Sequence, residues 1–330
     1  MDLLRGTAIL LVVYLHGAAS LSAKYPNTWS GFGNLAEILT PFRMPVLMFL
    51  SGLLVIHSIN KGARHYFKGK AQHILYPYVV WTLVMFGLYE LREAMLGKEG
   101  RELFASLFYQ PIDYLWFLYY LMVYYVLAFV ALSRGATLGL VATLAIYAAG
   151  YLSDFSNMKL AFYLVIFMVG GWWGVHLPRL VDVIQRMPWI LAVVLLAFGA
   201  VVFGYYIDPF NPQVSHAPLS LAASLAVIPS LLKIAMWWPW RSIAAPLEWI
   251  GRHSLPIFLV HVPVTLAVPV ALVKLYDGDP DLLMPFYLVG VLAISMLVAW
   301  VDSRSRWASL LFSAKLRRGR EERRQAGATN

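Results

Sequence analysis

The 330-residue sequence contains no cysteine. That excludes a disulfide framework, a thiol nucleophile and any cysteine metal site. Charge is almost as scarce. Only 13% of residues are Asp, Glu, Lys or Arg, where soluble domains carry about 25%. The patterns HExxH, GxSxG and GxxxxGK[ST] are also missing, so nothing points to a zinc protease, a serine hydrolase or a phosphate-binding loop, and no metal site is expected. Apolar residues fill the space: 60% of the chain is hydrophobic and 15% aromatic. Apolar runs of roughly 18 to 25 residues recur, each long enough to cross a hydrocarbon core about 30 Å thick. Without water to satisfy the backbone such runs must be helical. The expected fold is all-α and polytopic.

Ten spans are expected, at about 4–22, 37–59, 74–95, 112–132, 136–152, 159–177, 188–207, 217–236, 247–275 and 283–302. The ninth is long, and Pro256, Pro263 and Pro269 predict a kink or break in it. There is no internal repeat or linker, so residues 1–303 read as one membrane domain and 304–330 as a basic tail. An even number of spans puts both ends on one side. If that side is cytoplasmic, eighteen Lys and Arg lie inside and six outside, which the positive-inside rule favours. The expected location is the cell (plasma or inner) membrane. The net charge of +9 then reports membrane topology and anionic headgroups rather than a nucleic acid. A cleaved leader is not expected, because Asp2 and His16 interrupt that pattern.

Ionisable residues inside a bilayer are costly and mark function by default. Arg5 and His16 are eleven residues apart, about three whole helical turns, so they share one face of the first span, ~16 Å apart. Arg5 is equally what a cytoplasmic anchor would use. His16 lies beyond mid-membrane and is a candidate general base, with a packing role as the alternative. Arg43, in "PFRMPVLMFLSGLL", falls in the outer half of the second span and needs an anion or a carbonyl. Glu37 and Asp113 are the nearest carboxylates. In "GRHSLPIFLVHVP", His261 is expected ~18–21 Å from the cytoplasmic side, with Ser254 seven residues earlier on nearly the same face. Arg252 can pair with Glu248 at i, i−4, and Ser51-Gly52 can be simple helix packing. Three spans thus bring His16, Arg43 and His261 to similar depths, which predicts a shared polar cavity.

These stretches resemble the membrane acyltransferase 3 family. "MDLLRGTAILLVVYLH" is similar to its first helix, and "PFRMPVLMFLSGLL", with Ser51, to its second. "YLWFLYYLMVYYV", with Trp116, is similar to its Leu-Trp-Phe-Leu span, and "GRHSLPIFLVHVPV", with Ser254 and His261, to its late helix. The matches run in family order from about residue 2 to 303. One departure stands out: where the family has two arginines three apart before its third helix, "KAQHILYPY" has Lys70 and His73. The resemblance implies transfer of an acyl group, commonly acetyl from acetyl-CoA, to a hydroxyl of a surface or lipid-linked glycan. Acyl-CoA is then a co-substrate and no cofactor is permanently bound. It implies His16 as base, Arg43 as oxyanion stabiliser with His261 beside them, and Arg5, Ser51, Lys70, His73, Trp116, Arg252 and Ser254 as binding residues. A secondary transporter or flippase for a glycan- or lipid-linked anion is the alternative, since broken helices and midplane charges suit it too.

Overall fold

The computed structural model of the chain describes residues 1–22, 31–97, 102–153, 155–206, 215–275 and 280–314. It is all-helical, with no strand among the described residues. In chain order the helices are α1 (Asp2–Ser22), α2 (Gly31–Leu53), α3 (Val55–Ile59), α4 (Ala63–Lys70) and α5 (Tyr76–Leu96). Next come α6 (Leu103–Phe108), α7 (Trp116–Arg134), α8 (Ala136–Leu152), α9 (Met158–Val175) and α10 (Leu177–Arg186). The series ends with α11 (Trp189–Val201), α12 (Pro218–Trp237), α13 (Arg241–Arg252), α14 (Ser254–Leu275) and α15 (Pro280–Arg304). A π-helical stretch, Ala71–Leu75, joins α4 to α5.

Each of the ten apolar segments holds a helix. Among the described residues seven helices are long and apolar enough to cross a membrane, and up to nine spans result if each of two bent pairs counts as one. α8, at 17 residues, is shorter. The bent pairs are α10 with α11, at 99°, and α13 with α14, at 81°. The second corrects the expectation for residues 247–275. The break falls at His253, not at the prolines, and Pro256, Pro263 and Pro269 lie within one continuous α14. Pro256 sits in the first turn of α14, where its missing N–H would be unpaired anyway. His253 closes α13 by stacking on Trp249, ring centroids 4.2 Å apart, with Nδ1 2.9 Å from the Trp249 carbonyl.

Lipid offers apolar helices no hydrophobic reason to associate, so close van der Waals packing has to hold them. α2 and α9 pack most intimately. A Cβ on Gly52 would strike the Phe167 carbonyl, and one on Gly170 the Phe49 carbonyl. Around that seam Met48, Leu50, Ile166 and Phe167 are fully buried. Leu138, Val141 and Ile146 of α8 and Ile190 and Val193 of α11 face outward, as lipid-facing surfaces do. α1 is central: it packs on α2, α13, α14 and α15. Its crossing with α13 is equally tight, the backbone at Gly6 lying against the Leu247 carbonyl and that at Gly251 against the Asp2 carbonyl.

Beyond α15 the chain turns back on the π-helical stretch. A 3-10 turn, Ala308–Leu311, leads to Phe312, which stacks on Trp81 at 5.7 Å. Trp81 Nε1 donates to the Leu311 carbonyl at 2.9 Å, and the Ala314 N–H donates to the Gln72 carbonyl at 3.2 Å. The remainder of the basic tail, 315–330, lies outside the described residues.

Candidate active site

α1, α2, α7 and α14 meet around a cavity of about 350 Å³. Its walls include His16, Ser20, Arg43, Tyr89, Asp113, Trp116 and Thr265. His16 and His261 are neighbours, their ring centroids 5.0 Å apart and the planes tilted by 58°. The structure therefore joins the three residues that depth alone grouped, although by another route than the one expected. His261 is seven residues into α14, ~10 Å along the helix. The bend at His253, not a long straight span, brings it level with His16.

The His261 ring is fully buried and its orientation is fixed. Nδ1 lies 2.5 Å from the Phe258 carbonyl, and since a carbonyl only accepts, Nδ1 carries the proton. In the neutral ring Nε2 then holds a lone pair. That atom is buried and finds no hydrogen-bond partner. Tyr114 packs edge-on to the ring at 5.3 Å and donates to the Leu259 carbonyl at 2.7 Å. Thr265, one turn further along α14, donates to the His261 carbonyl at 2.6 Å and accepts from the Tyr287 hydroxyl at 2.9 Å. His16 faces the cavity from the other side. His16 thus stands beside a second, internally held imidazole.

Arg43 lines the same cavity. Its Nε and Nη1 are buried without a hydrogen-bond partner. Of the two carboxylates the sequence offered, the Glu37 side chain lies outside the described ones. Asp113 is on the cavity wall but accepts a short hydrogen bond from Tyr89. Asp113 also has φ of 39°, the one described non-glycine residue with positive φ, a conformation that costs free energy and concentrates at functional sites.

The other expected binding residues divide. Trp116 is on the cavity wall, stacked on Tyr163 at 5.3 Å and 29°, with Lys159 Nζ 3.5 Å from its ring centroid. Ser51, Lys70 and Arg5 gather elsewhere, around Tyr125. Lys70 Nζ is 3.8 Å from the Tyr125 ring centroid. Arg5 is near enough for its charge to act on both, and Ser51, whose hydroxyl donates to the Leu47 carbonyl at 2.7 Å, lies close to Tyr125. His73 is not part of this group. It turns to the C-terminal segment, Nδ1 3.1 Å from Ser313 Oγ. Arg252 pairs with Glu248 at 3.7 Å on an exposed face, and Ser254 does not line the cavity. Sequence reasoning missed Tyr89, Lys159, Tyr163 and Thr265. Only Thr265 carried a local signal, at i+4 from His261; Tyr89 comes from α5, and Lys159 and Tyr163 from α9.

An imidazole and a guanidinium with two unpartnered nitrogens on one polar cavity can deprotonate a hydroxyl and stabilise the oxyanion that forms when a carbonyl is attacked. Over residues 1–301 the chain matches the family described as an acyltransferase domain. No curated protein and no solved structure matches it. A match that runs unbroken from α1 into α15, across every helix that builds this cavity, settles the kinship: the chain belongs to the acyltransferase 3 family.

Proposed function

We propose that this membrane acyltransferase moves an acetyl group from acetyl-CoA to a hydroxyl of a cell-surface or lipid-linked saccharide. The observation that carries the reading is the convergence of His16 and Arg43 on one cavity, with the buried His261 ring packed beside His16. His16 takes the hydroxyl proton as the oxygen attacks the thioester carbonyl. Arg43 stabilises the oxyanion, the C–S bond breaks, and the proton passes to the departing coenzyme A thiolate. Arg5 and Lys70 form the cationic end at which coenzyme A phosphates are held. Arg5 lies ~16 Å from His16 along α1, a distance of the order of an extended pantetheine arm.

This reading places the chain in the plasma or inner membrane with ten spans and both termini cytoplasmic. In its support, the two ends approach the same segment: Arg5 sits by Lys70, and Ala314 bonds Gln72. The bent helix pairs also suit a transporter for an anionic glycan, and one assay separates the two. Membranes incubated with labelled acetyl-CoA incorporate label into glycan if the chain is an enzyme, and none if it is a transporter. Within that assay His16→Gln, which keeps size and hydrogen bonding but cannot accept a proton, should lose ~10²–10⁴ in rate. A well-expressed His16→Gln protein of full activity refutes the mechanism.

A further inference from the structure

Nε and Nη1 of Arg43 are buried without a hydrogen-bond partner at the cavity wall, and the cavity's described carboxylate is already bonded to Tyr89. No ion pair joins Arg43 to a carboxylate among the described residues. A second cation stands close. Lys159 lies over Trp116 and near enough to Arg43 for the two charges to repel. An arginine cannot shed its proton to relieve this, and a buried charge persists only when paired. An oxyanion that forms for the lifetime of a transition state does not neutralise a resting site. We propose that the acceptor itself carries an anionic group, a carboxylate or a phosphate, which binds Arg43 with Lys159 beside it while the sugar lies against the Trp116–Tyr163 stack. The substrate class is thus an acidic or phosphorylated saccharide, and Arg43 and Lys159 are its specificity determinants.

The inference rests on the reading that this cavity receives the acceptor, but its test needs no turnover. The full chain is reconstituted in phosphatidylcholine nanodiscs, and thermal unfolding is followed by tryptophan fluorescence at matched ionic strength. The probes are glucuronate, glucose 1-phosphate and neutral methyl glucoside. At saturation one or both anionic probes should raise the midpoint by about 2–4 °C, and methyl glucoside should not. Response to glucuronate alone identifies a carboxylate, and to glucose 1-phosphate alone a phosphate. Arg43→Met should abolish the shift and Lys159→Met should reduce it. Without any probe Arg43→Met should unfold at a higher temperature than the parent, because it removes an uncompensated buried charge. Equal effects of neutral and anionic sugars overturn the proposal, as does a shift that survives Arg43→Met or the absence of any shift. So does an Arg43→Met protein that unfolds below the parent, since its arginine was then already paired. Loss of binding with label transfer intact removes this inference alone; binding without transfer removes only the proposed reaction.

Discussion

Gly251→Ala should impair the enzyme although Gly251 touches no substrate. The methyl group would collide with the Asp2 carbonyl, a backbone atom that cannot rotate away, at a separation real Cβ atoms do not reach. Restoring ordinary contact, about 3.5 Å between carbons, requires α1 and α13 to part by on the order of 1 Å. Overpacking of that kind costs ~1–3 kcal/mol. The functional cost should be larger. α1 is a continuous rod from Asp2 to Ser22, so a shift at its start is carried to His16, while His261 is held on α14. A misplacement of ~1 Å at a reacting group can cost on the order of 10²-fold. The expectation is a ~10- to 100-fold fall in label transfer per unit of protein, with a modestly lowered unfolding midpoint. Gly87→Ala is the control, because a Cβ there meets nothing, and it should be silent or slightly stabilising. Gly251→Ala with parental activity and stability would refute the argument that this crossing sets the position of α1.

Two further outcomes are expected. Lys70→Glu should raise the apparent KM for acyl-CoA several-fold more than it lowers kcat, because it reverses one of two neighbouring cations while leaving the His16 cavity alone; an unchanged KM would assign Lys70 to topology only. Trp81→Ala removes both the stack on Phe312 and the bond to the Leu311 carbonyl, so hydrogen exchange at 307–314 should accelerate at least tenfold, and unaltered protection would mean that other contacts hold the segment.

The sequence made the helices legible because burial in lipid leaves an apolar run one conformation, and length then counts the candidates. It also made His16, Arg43 and His261 legible, since an ionisable group is conspicuous in an apolar run and rise per residue turns position into depth. Direction was not legible. Hydropathy averages over a window, so it cannot register the 81° turn at His253 that brings His261 beside His16. The place of Lys159 was hidden because nothing in its neighbourhood announces Arg43, 116 positions away on another helix. The contact of His73 with Ser313 is hidden for the same reason, the two being 240 residues apart.

That last separation bears on biosynthesis. Gln72, His73 and Trp81 enter the membrane early, and the residues that bond them are translated 230 or more residues later. Until then the π-helical stretch beside Lys70 lacks its cover, and the Trp81 indole N–H lacks its acceptor. A ribosome-bound intermediate therefore holds the His16 cavity's first two helices long before the face beside Lys70 is finished. Locking that face is the closing act of assembly, so a nascent chain stalled before Leu311 would be inserted and helical but could not have Trp81 in its final hydrogen bond.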